Sequence, residues 1–273
     1  MQKTNKQNLI DHLKNDINLK NNDFVWLHSG VVGLGLLEKG IETITEAFEE
    51  VLSEGALFIP TFTYSWCENK VFDPLISECP SMGSYASKVW KNSRFIRNNN
   101  PNFSVAMLRN SSNESLIEQV FTKGSEKSCF GEGSFFSNLY ELSKIRNGYV
   151  ILLGGAHDDV VFRSTFLHYI EEKVGVPYRY LKKFYNPSYN QDFVEQLVRF
   201  LSEDEYLKVT GLQDFTYKFP IEERYEKLGN DLINEKLITR IDFRYSTTRS
   251  INIREFCDWL ETKLRIDSEY HLK

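Results

Sequence analysis

Three short apolar runs, each halted by glycine or proline, constrain the fold of this 273-residue chain more than any other feature. Phe24-Val25-Trp26-Leu27-His28 stops at Ser29-Gly30, Ala56-Leu57-Phe58-Ile59 stops at Pro60, and Tyr149-Val150-Ile151-Leu152-Leu153 stops at Gly154-Gly155. Runs of this kind suit strands buried on both faces. Between the first two, Ile41, Ile44, Phe48, Val51 and Leu52 share one helical face, and Gly55 ends that helix. Strand, helix, strand predicts an α/β chain. Further helices are expected around Asn8 to Leu13, from Met82 to Lys91 with Ser81 as cap, from Ser115 to Phe121 and from Ser164 to Lys173; a strand is expected from Ser104 to Leu108.

The last third changes style. Tyr178 to Tyr185 and Phe215 to Phe219 read as exposed strands, and Ile221 to Leu237, Ile238 to Phe243 and Ile251 to Leu264 as helix, strand, helix. With no internal repeat and no low-complexity linker, residues 1–273 are expected to form one domain with a less regular C-terminal part. The irregular segments 61–80 and 123–137 are longer than most connections, which makes them candidates for function.

A formal charge of −5 argues against nucleic acid as a partner. Cys67, Cys79, Cys129 and Cys257 form no C-x-x-C pair, so no metal is expected. The polar N-terminal stretch reads as an amphipathic helix rather than a leader, and no apolar run approaches the ~20 residues of a membrane span. A cytoplasmic location with reduced thiols is therefore expected.

The sharpest local pattern is Thr165-Phe166-Leu167-His168-Tyr169-Ile170-Glu171. His168 and Glu171 lie three apart on a helix, so they share a face. A carboxylate beside an imidazole fixes its tautomer and raises its basicity, as a general base requires. The segment follows the strand that ends at Gly154-Gly155, and ligands of open α/β sheets bind beyond such strand ends. His28-Ser29-Gly30-Val31-Val32-Gly33-Leu34-Gly35 is a second candidate, because glycines let a ligand approach the backbone; it is neither a dinucleotide fingerprint nor a P-loop. Pro60 to Trp66, with Phe72-Asp73-Pro74, offers rings and hydroxyls to a polar ligand. Lys88, Lys91, Arg94 and Arg97 suit phosphates or simply a solvated helix face. Each pattern, taken alone, is more often an ordinary surface pair, turn, packed loop or solvated face.

Read in order, the fragments resemble the aminoglycoside 3-N-acetyltransferases, also called antibiotic N-acetyltransferases, from about Phe24 to Phe184. The matching pieces are His28-Ser29 with Gly35, Gly55 to Thr63, Phe72-Asp73-Pro74, Pro80 to Gly83, Pro101 to Ala106, Phe130 to Ser134, Leu152-Leu153-Gly154, and Thr165 with His168 and Glu171. The resemblance implies three layers, α/β/α, around a central mixed sheet. It also implies direct acetyl transfer from acetyl-CoA, without a metal. His168 is then the base and Glu171 its orienting carboxylate. His28, Ser29, Gly30, Val31, Gly35, Ser104 and Val105 are expected along the pantetheine and thioester, with backbone N–H groups near Gly30 and Val31 at the oxyanion. Tyr64, Trp66, Arg163 and Thr165 are expected at the acceptor.

Two positions depart from the family pattern. Resistance enzymes of this type commonly carry Asp six residues before the catalytic histidine, where this chain has Phe162 followed by Arg163, and Asn100 stands where the pattern tends to have His. A cation beside the site repels a polyamine and suits a phosphate. The expected acceptor is therefore a nucleotide-linked amino sugar for surface polysaccharide; an aminoglycoside is the alternative. More distant is a hydrolase using His168 and Glu171 to activate water. Intact Thr165, His168 and Glu171 argue against a binding protein with a dead site. Expected partners are coenzyme A and a small amino sugar, not nucleic acid or membrane, with a homodimer left open.

Overall fold

The computed structural model describes residues 2–68, 71–110, 112–122, 128–155, 160–185, 193–213 and 217–272. The predicted strands become β1 (Phe24–Ser29), β2 (Ala56–Pro60), β4 (Val105–Leu108) and β5 (Gly148–Gly155), with β3 (Phe95–Arg97) between β2 and β4 in the chain. Two more strands, β8 (Thr239–Phe243) and β9 (Ser246–Asn252), complete a seven-stranded sheet of order β8-β9-β5-β1-β2-β4-β3. β5, β1 and β2 run parallel at its centre, and the flanking pairs are antiparallel, so the sheet is mixed.

Successive side chains on a strand point to opposite faces, and the sequence fills both. Phe24, Trp26, Phe58 and Val150 face a core shared with Phe136, Ile170 and Phe256 of α4 (Phe135–Ser143), α5 (Phe166–Val174) and α8 (Ile253–Ile266). Val25, Leu27, Leu57, Ile59 and Ile151 face a second core with Leu9, Ile44 and Tyr85 of α1 (Lys6–Asp11), α2 (Glu42–Val51) and α3 (Gly83–Val89). This is the expected three-layer α/β/α arrangement. Outside it, β6 (Arg179–Phe184) and β7 (Val194–Arg199) form an antiparallel hairpin, followed by α6 (Glu203–Thr210) and α7 (Tyr225–Asn234).

Several sequence expectations need correction. Residues 246–252, read partly as a helix, form β9, which pairs with β5 near the sheet centre. The helix expected from Met82 starts at Gly83 after a short 3₁₀ turn, and Ser81 makes no cap. Expected strand 215–219 falls partly outside the described residues; Tyr217 to Phe219 belong to no strand. Part of the loop 123–137 also lies outside them, and its end, Phe135 to Ser137, opens α4.

The turn after β1 and the end of β5 meet backbone to backbone. Gly154 has φ +82°, and a Cβ there would lie 1.9 Å from the Gly30 carbonyl oxygen. Gly154→Ala therefore combines a left-handed backbone with a clash that only main-chain movement relieves. It is expected to cost about 3 kcal/mol or more, lowering Tm by roughly 6–12 °C. A thermal melt within about 2 °C of the wild type would refute this contact.

Candidate active site

α5 begins beyond the end of β5, and its spacing does what the sequence predicts. His168 Nδ1 lies 2.7 Å from Glu171 Oε2. Gly175, left-handed at φ +75°, closes the helix through its N–H to the Glu171 carbonyl at 3.0 Å. Glu171 is fully buried, which by itself disfavours the charged form. Its surroundings reverse that. Tyr178 Oη donates to Oε1 at 2.9 Å, His271 Nε2 lies 3.0 Å from the same oxygen, and Arg179 Nε sits 2.9 Å from Oε2. The last is an ion pair whose N–H is not aligned as a hydrogen bond. Burial pushes the Glu171 carboxyl up, but Arg179 and the hydrogen bonds from His168 and His271 outweigh it and hold the group well below the usual carboxylate range. An ionised Glu171 accepts Nδ1–H and leaves Nε2 of His168 with a lone pair. This tautomer follows from the hydrogen-bond network. Nε2 has no protein partner among the described residues, and His168 lines a groove.

The groove has three lobes. An inner lobe of about 310 Å³ opens at the carboxyl ends of β1, β2 and β5, lined by His28, Ser29, Gly30 and Gly155 with Met82 and Arg249. A middle lobe of about 320 Å³ shares His28, Pro60, Ser81, Met82 and Leu152 with it and adds Tyr64, Arg163, Thr165 and His168. An outer lobe of about 650 Å³ shares Phe103, Arg163, His168 and Tyr225 with the middle one and adds Arg179, Gln196, Arg199, Glu222 and Glu223. His168 thus stands where middle and outer lobes meet.

The residues singled out in the sequence do not all meet. His28, Tyr64, Arg163, Thr165 and His168 share the middle lobe, while Ser29 and Gly30 line the inner one. Val31 opens the 3₁₀ turn Val31–Leu34 that follows and Gly35 caps its end, and neither lines these lobes. Ser104 is buried, donating to the Thr61 carbonyl at 2.6 Å and accepting from Arg97 Nε at 3.0 Å; Val105 and Trp66 are buried in the core beside the groove. The Gly30 N–H is spent on the Leu153 carbonyl at 2.7 Å, so it is not the free donor expected for an oxyanion. The basic run divides as well. Lys91 pairs with Glu78 and Arg94 with Glu42 and Glu49, while Arg97 is held by Ser104, Thr61, Thr63 and Ser77.

Four residues were not anticipated: Tyr178, Arg179, Glu223 and His271. Arg179 bridges Glu171 to Glu223, linking the buried carboxylate to the outer lobe. Glu171, Glu223 and His271 bring ligand-type atoms within 4.8 Å of one another, but Arg179 already supplies both carboxylates with the positive charge a metal would bring. Nothing local in the sequence marks His271, which lies 100 positions from Glu171.

A family model described as aminoglycoside 3-N-acetyltransferase matches residues 26–265. The chain belongs to the aminoglycoside 3-N-acetyltransferase family. As such it is an N-acetyltransferase with acetyl-CoA as cosubstrate. Solved structures agree on the fold. AAC-IIIb, solved as a binary complex with CoASH, superposes with TM-score 0.72 at 18% identity, covering 97% of each chain. A mutant of AAC(3)-IVa in complex with a gentamicin gives 0.70 at 20% identity, covering 99% of this chain and 92% of that one. YokD from Bacillus subtilis gives 0.71 at 18%, covering 98% and 96%. No curated protein sequence matches. Among the described residues, no helix is long and apolar enough to cross a membrane.

Family membership overturns the nucleotide-linked amino sugar expected from Phe162 and Arg163. The physical reason lies in the segment before α5. Phe162 is fully buried, its ring 5.1 Å from that of Phe256, so its identity says nothing about charge in the groove. Arg163 does line the groove, stacked 4.6 Å above the Tyr225 ring, but Glu222 and Glu223 line the outer lobe with it. Of these two carboxylates, Glu223 is held by Arg179 and by the Tyr225 hydroxyl, while Glu222 is exposed on the groove wall, so negative charge there comes from residue 222 rather than from position 162.

Proposed function

We propose that this acetyltransferase acts on an amine of an aminoglycoside, with His168 as general base and Glu171 as its orienting carboxylate. The observation that carries the reading is the position of His168 between two unlike lobes. The inner and middle lobes lie at strand ends and suit the pantetheine arm and thioester. The outer lobe is larger, which suits a bulky acceptor, and its exposed Glu222 can meet an ammonium group, Glu223 being paired with Arg179. The amine nitrogen enters from the outer lobe and loses a proton to His168 Nε2. As that proton leaves, the nitrogen bonds to the thioester carbonyl carbon; the C–S bond breaks, and the departing thiolate of coenzyme A takes up the proton from His168. General-base assistance of this kind is worth about 10²–10⁴-fold. Gentamicin bound to a relative of the same fold adds support for the acceptor class.

The test is thiol release from acetyl-CoA against a panel of gentamicin-, kanamycin- and apramycin-like drugs, with nucleotide-linked amino sugars as controls. Turnover on at least one drug, with acetylation at the 3-amino group by NMR, is the expected result. Turnover confined to the nucleotide-linked sugars would overturn the proposal.

A further inference from the structure

With the Gly30 N–H committed to Leu153, the developing negative charge on the thioester oxygen needs another donor. The groove offers one in His28. This residue lies one position before the end of β1, pairs in register with Leu152 of β5, and lines both inner and middle lobes. Its Nε2 accepts a hydrogen bond from the indole N–H of Trp26 at 2.8 Å. Trp26 is fully buried in the core, and an indole N–H can only donate. A neutral His28 must therefore carry its proton on Nδ1, and Nδ1 has no protein partner among the described residues and is not sealed from the groove. Burial without a counter-charge pushes the imidazole down to about 4, so it stays neutral at working pH. Hydroxyls along the same walls rotate freely between donor and acceptor, whereas the polarity of His28 is fixed by the core beneath it.

We infer that His28 is a catalytic residue, its Nδ1–H donating to the thioester carbonyl oxygen of acetyl-CoA and holding the oxyanion of the tetrahedral intermediate. This rests on acetyl-CoA as donor but not on the identity of the acceptor. Reaction must occur in reach of His168, which shares the middle lobe with His28, and the pantetheine arm reaches that lobe from the inner one past His28. The new N–C bond forms as an amine proton passes to His168 Nε2. The carbonyl electron pair moves onto oxygen under the His28 N–H, then returns as the C–S bond breaks. The departing thiolate takes up the proton from His168. His28 lends its hydrogen bond throughout and transfers no proton.

The inference is tested without an acceptor by isotope-edited infrared spectroscopy of ¹³C=O acetyl-CoA bound to the enzyme. In the wild type the thioester carbonyl band is expected to shift to lower frequency than in solution. In His28→Ala it should return to the solution position, with the acetyl-CoA Kd changed less than about threefold. With a working acceptor, His28→Ala should lose 10²–10³ in kcat, the scale of one oxyanion donor. His28→Asn, whose amide nitrogen sits near the Nδ1 position, should recover at least tenfold of that. Trp26→Phe, which frees the tautomer, should weaken the band shift. An unshifted carbonyl band in the wild type, or an unaltered shift in a folded His28→Ala, would overturn the assignment even if every acceptor in the panel were acetylated. If His28→Ala fails to fold, the wild-type band and the His28→Asn and Trp26→Phe bands decide the question.

Discussion

His168→Ala should leave coenzyme A binding intact and lower kcat by at least about 100-fold. In the proposed mechanism Nε2 of His168 is the base, Glu171 holds Nδ1, and the side chain lines both the middle and the outer lobe. The side chain is partly exposed and rests against the ring of Phe130 at 5.6 Å, so its removal leaves the core largely undisturbed. Stopped-flow or steady-state thiol release, with Kd from calorimetry, checks both halves. Near-normal turnover in a folded His168→Ala protein would remove His168 from the mechanism.

The second large effect belongs to Glu171. Glu171→Gln keeps the shape but removes the charge that Arg179 needs, leaving a buried guanidinium with Glu223 alone. Breaking a buried ion pair on one side costs about 3–5 kcal/mol, which lowers Tm by roughly 6–20 °C in a chain of this size. The amide also no longer enforces the Nδ1–H tautomer of His168, and the comparable change in a serine-protease triad costs about 10⁴ in kcat. A kcat loss of at least about 100-fold is expected here, together with the fall in Tm. The sign of the pH dependence follows from the depressed pKa. Because Glu171 titrates below its unfolded value, its contribution to stability is complete above the usual carboxylate range and is lost as pH falls through the folded value. Acid unfolding should therefore begin at higher pH in Glu171→Gln than in the wild type. A variant with unchanged Tm and unchanged kcat would show that the carboxylate is a bystander.

What could be read in advance was local. The His168–Glu171 pair depends only on helical spacing, and the strands β1, β2 and β5 announce themselves as apolar runs. What escaped was non-local or polar. Ser246-Thr247-Thr248-Arg249-Ser250 is buried as part of β9, yet carries no hydrophobic signature. Its burial is stabilised by distant partners, such as Thr248 with His12 Nε2 at 2.8 Å and Arg249 with the Val161 carbonyl at 2.8 Å. His271 and Arg179 reach Glu171 only through the tertiary fold. Phe162 carries no information about charge in the groove, because its place along the chain is not its place in space. Residues 162 and 163 precede α5 in irregular backbone, where one side chain turns into the core and the next into the groove.

The groove is assembled from two stretches of chain that share little. Most of the wall toward the thioester comes from the ends of β1, β2 and β5, where Gly30 and Gly154 tolerate no added atom. Most of the outer wall comes from residues 163–225, including the hairpin β6–β7, whose strands pair with each other and not with the central sheet. Mutational drift is thus channelled. Changes in the hairpin and at Glu222 can alter the acceptor end of the groove while the thioester end, closed by backbone contacts, stays as it is.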